Sequence, residues 1–309
     1  MKKGLILIDK PAGMTSMDVV RVVKRLSGEN RVGHCGTLDP LASGLMVVLL
    51  GKATQLQDEF LLGDKTYSGL IKLGLKTETD DILGATISED NLEKLFETKT
   101  REQILEEIKL NFEGSGEQFP PAYSALHVNG ERSYKIARRG EVPELKARTV
   151  KLSFIDLRFH SHSTIRFEVR CSKGTYIRAL ARDIGEHFAC GACIQSLRRI
   201  HSFPYDLKEA VTLEELSEKG VEKYLSPIET AVSHLPRVEL DTQSLRNLAQ
   251  GRQDLLGRIR FDKNASKAAV FSKKGLLFGL IEDKSAEGMA PVWKLKWIMP
   301  EIIDSTPYL

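Results

Sequence analysis

Hydrophobic and polar positions divide the chain into short elements of two periods. Residues 4–9 form a brief apolar run with strand character, and Lys10 to Ser16 follow as a loop punctuated by Pro11 and Gly13. Val19, Val20, Val22, Val23 and Leu26 then share one face of a helix that Ser16 is expected to cap and Gly28 to stop. A polar, glycine-rich stretch, 31–44, leads into an apolar strand at 45–50, and 66–73 reads as another strand with Tyr67 near its start. From 75 to about 118 the apolar spacing becomes helical, with Thr100 and Gln103 forming a capping-box signature ahead of Ile104, Leu105, Ile108 and Phe112. Pro120-Pro121 ends that region, and 122–130 is extended, turning at Asn129-Gly130. Residues 150–157 and 164–171 alternate as paired strands. Gly174 turns the chain into a helix that carries Arg178 near its start, 197–200 is a strand, and Thr212 and Glu215 cap a short helix before Gly220.

After Pro227 the texture changes to short strands around 235–240, a helix at 245–250, a hairpin over 268–281 turning at Lys274-Gly275, and a strand at 292–298. This spacing predicts a small β-rich domain of about 75 residues. Its first half is basic through Arg237, Arg246, Arg252, Arg258 and Arg260.

Length and composition change this picture little. The 309 residues are 41% hydrophobic, enough for one large core and one small one. The net charge of +3 permits a polyanionic partner without demanding one. Seven cations between 132 and 151 (Arg132, Lys135, Arg138, Arg139, Lys146, Arg148 and Lys151) suit a phosphate-tracking surface as well as a solvated face. No apolar run approaches the roughly 18 residues of a membrane span, and the start of the chain is too short in apolar residues for a signal peptide, so a cytoplasmic, membrane-free location is expected. Of the cysteines at 35, 171, 190 and 193, the last two have Cys-x-x-Cys spacing but lack partners for a structural zinc site; buried, reduced thiols are expected.

The candidate chemistry centres on one acid. Asp39 sits between Leu38 and Pro40, and the proline pushes it toward an extended or turn conformation. An Asp-Pro turn before a buried strand accounts for such a residue in an arbitrary sequence. Here His34, Thr37 and Asp39 fall within six residues, flanked by Arg31 and Lys52. Arg178, near a helix start, gains nothing from the helix dipole; an acidic partner elsewhere is expected, with an exposed surface arginine as the alternative.

Gly33-His34-Cys35-Gly36-Thr37-Leu38-Asp39-Pro40-Leu41-Ala42-Ser43-Gly44 closely resembles the bacterial tRNA pseudouridine synthase B family. The resemblance continues in family order through residues 9–16, Lys65-Thr66-Tyr67, residues 73–84 with Thr77, Thr79, Asp81 and Gly84, residues 120–126, and Gly174-Thr175-Tyr176-Ile177-Arg178 with Leu180 to Asp183. It departs at Cys35, where a small polar or β-branched residue is more usual, and at His127, where a lysine is.

The resemblance implies an α+β fold: a mixed, mainly antiparallel central sheet with flanking helices and an RNA-facing insertion at about 75–150, within a catalytic domain at 1–230. A small β-barrel-like PUA domain would follow at 231–309. It implies isomerisation of uridine 55 in the tRNA T loop, without cofactor, metal or guide RNA, by a monomer that also meets the acceptor stem through its PUA domain. Asp39 would be the essential carboxylate, Tyr67 the active-site tyrosine that stacks on the base, and Arg178 the partner of Asp39. His34 would contact RNA, Tyr176 and Leu197 would wall the pocket, and Lys10 would support its floor. Asp39 would attack C1′, stabilise an oxocarbenium-like state, or act at C2′ in a glycal route, and these three remain open at this level. The alternatives are a related synthase acting on another RNA, guided or not, and a tRNA-binding folding chaperone in which catalysis is secondary.

Overall fold

A computed structural model describes residues 2–252, 254–258, 265–285 and 292–304. In chain order the strands are β1 (Gly4–Lys10), β2 (Val32–His34), β3 (Ser43–Leu50), β4 (Lys65–Leu73), β5 (Leu75–Thr77), β6 (Thr86–Glu89), β7 (Gly114–Gln118), β8 (His127–Val128), β9 (Glu131–Arg132), β10 (Arg148–Phe159), β11 (Thr164–Cys171), β12 (Ala192–Ser202), β13 (Tyr205–Asp206), β14 (Arg237–Leu240), β15 (Lys267–Ser272), β16 (Leu277–Asp283) and β17 (Trp293–Ile298). The helices are α1 (Ser16–Ser27), α2 (Gln57–Leu61), α3 (Glu93–Thr98), α4 (Arg101–Phe112), α5 (Ser133–Arg138), α6 (Ile177–His187), α7 (Leu213–Lys219), α8 (Val221–Tyr224), α9 (Thr242–Ala249) and α10 (Glu301–Asp304). None is long and apolar enough to cross a membrane.

The chain divides into two compact units, one of Ile6–Val48 and Gln57–Tyr224 and the other of Met1–Leu5, Leu49–Leu56 and Leu225–Leu309. The large sheet has the order β1-β3-β12-β4-β11-β10-β7, with β2 added beside β3 and β13 beside β12. Its β12-β4, β4-β11, β11-β10 and β10-β7 pairs are antiparallel, while β12 runs parallel to β3 through Arg198↔Ser43 and Arg199↔Gly44. This is the mixed, mostly antiparallel α+β arrangement expected. Leu180, Ile184 and Ile177 of α6 pack with Ile71, Ile165, Phe167, Val169 and Ile194 of the sheet in one core, which also takes in Leu38, Ala42 and Leu197 and has Tyr67 packed against it. The second unit has its own four-stranded sheet, β14-β15-β16-β17, over a separate core that includes Leu245, Leu248, Val270, Phe278 and Ile281.

Two sequence expectations need correction. The cap of α1 is Thr15, whose hydroxyl accepts from the Asp18 backbone in a capping box, because Thr15 stands three residues before an acid and Ser16 does not. Residues 75–118 are not continuously helical. Leu75–Thr77 and Thr86–Glu89 pair as a hairpin, only α3 and α4 are helical, and Gly114–Gln118 joins the large sheet as an edge strand. The Thr100/Gln103 capping box of α4 is present. Of the cations between 132 and 151, Arg139 is paired with Glu131 and Glu141, and Arg148 lies over the Tyr176 ring. Of the basic set in the second unit, Arg260 falls outside the described residues.

All four cysteines are free and buried. Burial pushes the Cys35 and Cys171 thiols up to about 12 and that of Cys193 to about 11, so all three are held in the unreactive thiol form.

Candidate active site

Asp39 lies on the loop between β2 and β3, and backbone contacts hold that loop from several sides. The Ser16 hydroxyl, at the buried start of α1, donates to the Leu38 carbonyl over 2.9 Å and accepts from the Leu38 N–H over 2.8 Å. The Gly13 N–H donates to the Pro40 carbonyl over 2.8 Å, and the Ala42 N–H closes a turn onto the Asp39 carbonyl at 3.0 Å. Asp39 is thus flanked by fixed neighbours, yet its side chain keeps 36% of its exposure.

Arg178 is the second residue of α6, with its side chain only 6% exposed. Nε donates to Asp39 Oδ2 over 2.8 Å, Nη1 to the Thr79 carbonyl over 2.7 Å, and Nη2 to the Tyr123 carbonyl over 2.9 Å. Each nitrogen therefore has an acceptor, and the acidic partner expected from the helix-start argument is Asp39. A second carboxylate, Asp81 Oδ2, stands 3.9 Å from Nε. Asp81 is held in turn by the Thr79 hydroxyl at 2.8 Å and the Leu83 N–H at 3.1 Å. Beside it, Asp80 adopts φ 58° and faces Arg182 at 3.5 Å; burial pushes its carboxyl up to about 6, against the pull of Arg182 and Arg178.

Tyr67 sits on β4, half-buried against the core, in register with Val169 on one side and Arg199 on the other. Burial raises its hydroxyl above the ordinary phenol range, and the Arg199 guanidinium works in the opposite direction. Leu197 is buried on β12 in the same core cluster, opposite Gly69. Tyr176 precedes α6, its backbone clamped by Gln118, which donates to its carbonyl at 3.1 Å and accepts from its N–H at 2.8 Å.

Lys10 is fully buried at the end of β1, its ammonium donating to the Met14 carbonyl at 2.6 Å and the Pro11 carbonyl at 2.9 Å. Burial lowers it to about 8, with the Asp39 charge acting against that shift. It organises the 11–14 turn, and Gly13 of that turn binds Pro40. His34 ends β2 with Nδ1 buried and unpartnered, and burial followed by the Arg199 charge depresses its pKa, which keeps the ring neutral at pH 7.

Asp39 and Arg178 are thus in direct contact. Tyr67, Leu197 and the loop residues Leu38 and Ala42 meet in one core cluster, and Lys10 connects to the loop through the turn at Gly13. Sequence reasoning assigned no role to Thr79, Asp81, Tyr123, Gln118 or Arg199. Thr79 and Tyr123 contribute backbone carbonyls, which no residue type announces. The polar run 77–81 before Gly84 carried a loop signal that the helical reading of 75–118 overrode.

Comparison with known proteins identifies the family. The model described as "TruB family pseudouridylate synthase (N terminal domain)" matches residues 24–177, and "tRNA pseudouridylate synthase B C-terminal domain" matches 178–233. A tRNA pseudouridine synthase B of Synechococcus sp. is 38% identical over 296 residues, covering 93% of this chain and 96% of that protein. One of Clostridium kluyveri is 39% identical over 248 residues, covering 80% and 84%. Among solved structures, a chain in a Cbf5-Nop10-Gar1 complex superposes with a TM-score of 0.68 at 28% identity, covering 96% of this chain and 84% of that one. A chain in an archaeal box H/ACA sRNP Nop10-Cbf5 complex gives 0.65 at 25%, covering 99% and 88%. The match runs through the Asp39 loop, β4 and the start of α6 alike, and the chain belongs to the TruB family of pseudouridylate synthases.

Proposed function

We propose that this chain isomerises uridine 55 in the T loop of tRNA to pseudouridine. The observation that carries the reading is a part-exposed carboxylate, Asp39, held by a buried arginine whose other nitrogens are already engaged. The reaction breaks the bond from N1 to C1′, turns the detached base, joins C5 to C1′, and releases the C5 proton while N1 takes one up, so that product and substrate are isomers. It is redox-neutral and calls on a carboxylate at the sugar or base. In this reading Arg178 pairs with Asp39 and orients it, Tyr67 covers the flipped base, and Leu197 and Tyr176 wall the pocket. His34, neutral at pH 7, contacts the RNA rather than carrying a proton, and Lys10 supports the loop. Extruding the base costs a few kcal/mol, roughly, and stacking on an aromatic ring such as Tyr67 recovers about 1–3 kcal/mol of that.

The relatives named tRNA pseudouridine synthase B, at 36–41% identity, support tRNA as the substrate. In the same reading the enzyme acts as a cytoplasmic monomer, with residues 231–309 as a PUA-like domain on the acceptor stem. Incubating the protein with unmodified tRNA transcript in the presence of a chelator, then mapping pseudouridine by chemical sequencing, tests this directly. Product at the T-loop uridine is expected; product at another position or none would overturn the substrate assignment.

A further inference from the structure

Arg199 lies on β12, 1% exposed, and is among the largest fully buried side chains of the protein. Its Nε donates to the Leu45 carbonyl over 2.7 Å, Nη2 to the Gly36 carbonyl over 3.1 Å, and Nη1 to the Thr37 carbonyl over 3.5 Å. These carbonyls bracket Asp39: Gly36 and Thr37 precede it on the loop, and Leu45 follows it on β3. Arg199 enters no ion pair among the described residues, and its backbone partners are neutral carbonyl dipoles. A buried cation of that kind is costly to keep, and a planar guanidinium can bind several carbonyls at once where an ammonium could not reproduce the fan.

Two glycines lie against this residue, one at its backbone and one at its guanidinium. Gly36 and Gly44 both have positive φ, 97° and 103°. A Cβ at Gly44 would lie 2.3 Å from the Arg199 carbonyl oxygen, and one at Gly36 would lie 3.5 Å from Nη1. Tyr67 is the register partner of Arg199 on β4. The Arg199 charge reaches Tyr67, Lys10 and His34, lowering the pKa of each.

We propose that Arg199 is a positioning residue of the reaction: it fixes the Asp39 loop through Gly36 and Thr37, and it places a buried positive charge beside Tyr67. The inference rests on the proposed function. When the bond from N1 to C1′ breaks heterolytically, its electron pair leaves with the uracil, and Arg199 supplies a preorganised cation on the side where Tyr67 covers that base. Its contribution therefore belongs to the chemical step more than to tRNA capture.

Two variants separate this from a purely structural role. Arg199→Met keeps apolar bulk but removes charge and donors; Arg199→Lys keeps the charge and loses the fan. Single-turnover pseudouridine formation, tRNA Kd and thermal midpoint are measured for both. The rate constant should fall by about tenfold in Arg199→Lys and by roughly 100-fold or more in Arg199→Met, with tRNA Kd within about threefold of the unsubstituted chain. Equal losses in the two variants, losses that follow tRNA Kd or thermal midpoint, or a rate in Arg199→Met within about twofold of the unsubstituted chain would each overturn the proposal. If Arg199→Met does not fold, Arg199→Lys decides: a slowed rate at unchanged Kd supports the proposal, and an unchanged rate overturns it. An unsubstituted chain that forms no pseudouridine overturns the functional reading and this proposal with it, whereas a failure confined to the variants' pattern leaves that reading standing.

Discussion

Arg178 Nε meets Asp39 Oδ2 at 2.8 Å while the remaining nitrogens of the same guanidinium hold the carbonyls of Thr79 and Tyr123. One side chain at the start of α6 thereby joins the Asp39 loop, the 77–81 turn and the segment after Pro121. Truncation in Arg178→Ala would strand two part-buried carbonyls and remove the counter-charge that Asp39 and Asp81 share. Breaking such a pair costs about 3–5 kcal/mol, which urea unfolding should register. Pseudouridine formation should fall with it, and Arg178→Lys should recover only a small part, since one ammonium cannot reach three acceptors in different directions. Stability within about 1 kcal/mol of the unsubstituted protein in Arg178→Ala would contradict this account of the pair.

Gly44 lies where β3 pairs with β12, opposite Arg199. Its φ of 103° suits glycine, and a methyl there would meet the Arg199 backbone at 2.3 Å. Gly44→Ala is expected to cost about 2–5 kcal/mol from strain and overpacking together. Because the displaced backbone belongs to Arg199 and adjoins the Asp39 loop, activity should drop further than stability alone requires. Thermal melts and turnover at a temperature well below the variant's midpoint check both halves.

Asp80 gives the protein a pH dependence of defined sign. Its carboxyl stands at about 6 when folded, against an ordinary value of 3.8. Between those values the folded protein holds a proton that the unfolded chain has released. The contribution of this group to stability is therefore fully present below about pH 4 and is lost as pH rises through 6. Thermal midpoints of the protein and of Asp80→Asn, compared from pH 4 to 7, should show a difference that shifts in favour of Asp80→Asn as pH rises and then levels off. A difference that does not vary with pH would rule out a raised Asp80.

Much of this arrangement is legible in the sequence, for identifiable reasons. The β10-β11 pairing, α1 with its Gly28 stop, the capping box of α4 and the 268–281 hairpin all follow from periodicity and turn chemistry acting locally. The acidic partner of Arg178 was deducible from a cation placed where the helix dipole disfavours it, and the resemblance pointed to Asp39. What sequence alone did not expose is the set of contacts that run through the backbone. The carbonyls of Gly36, Thr37, Leu45, Thr79 and Tyr123 carry no side-chain signature, so the roles of Arg199 and of the 77–81 turn emerge only when distant segments are brought together. The hairpin at 75–89 was hidden by charged, alternately apolar residues that fit a helix as well as a strand.

The most direct test of the central claim compares the protein with Asp39→Asn in single-turnover conversion of T-loop uridine, with tRNA binding measured on the same samples. Asn preserves the shape of Asp39 and an acceptor for Arg178 Nε but removes the charge. Binding should persist within about tenfold while product formation falls below detection. Pseudouridine appearing in Asp39→Asn at the rate of the unsubstituted protein would contradict the assignment of this carboxylate.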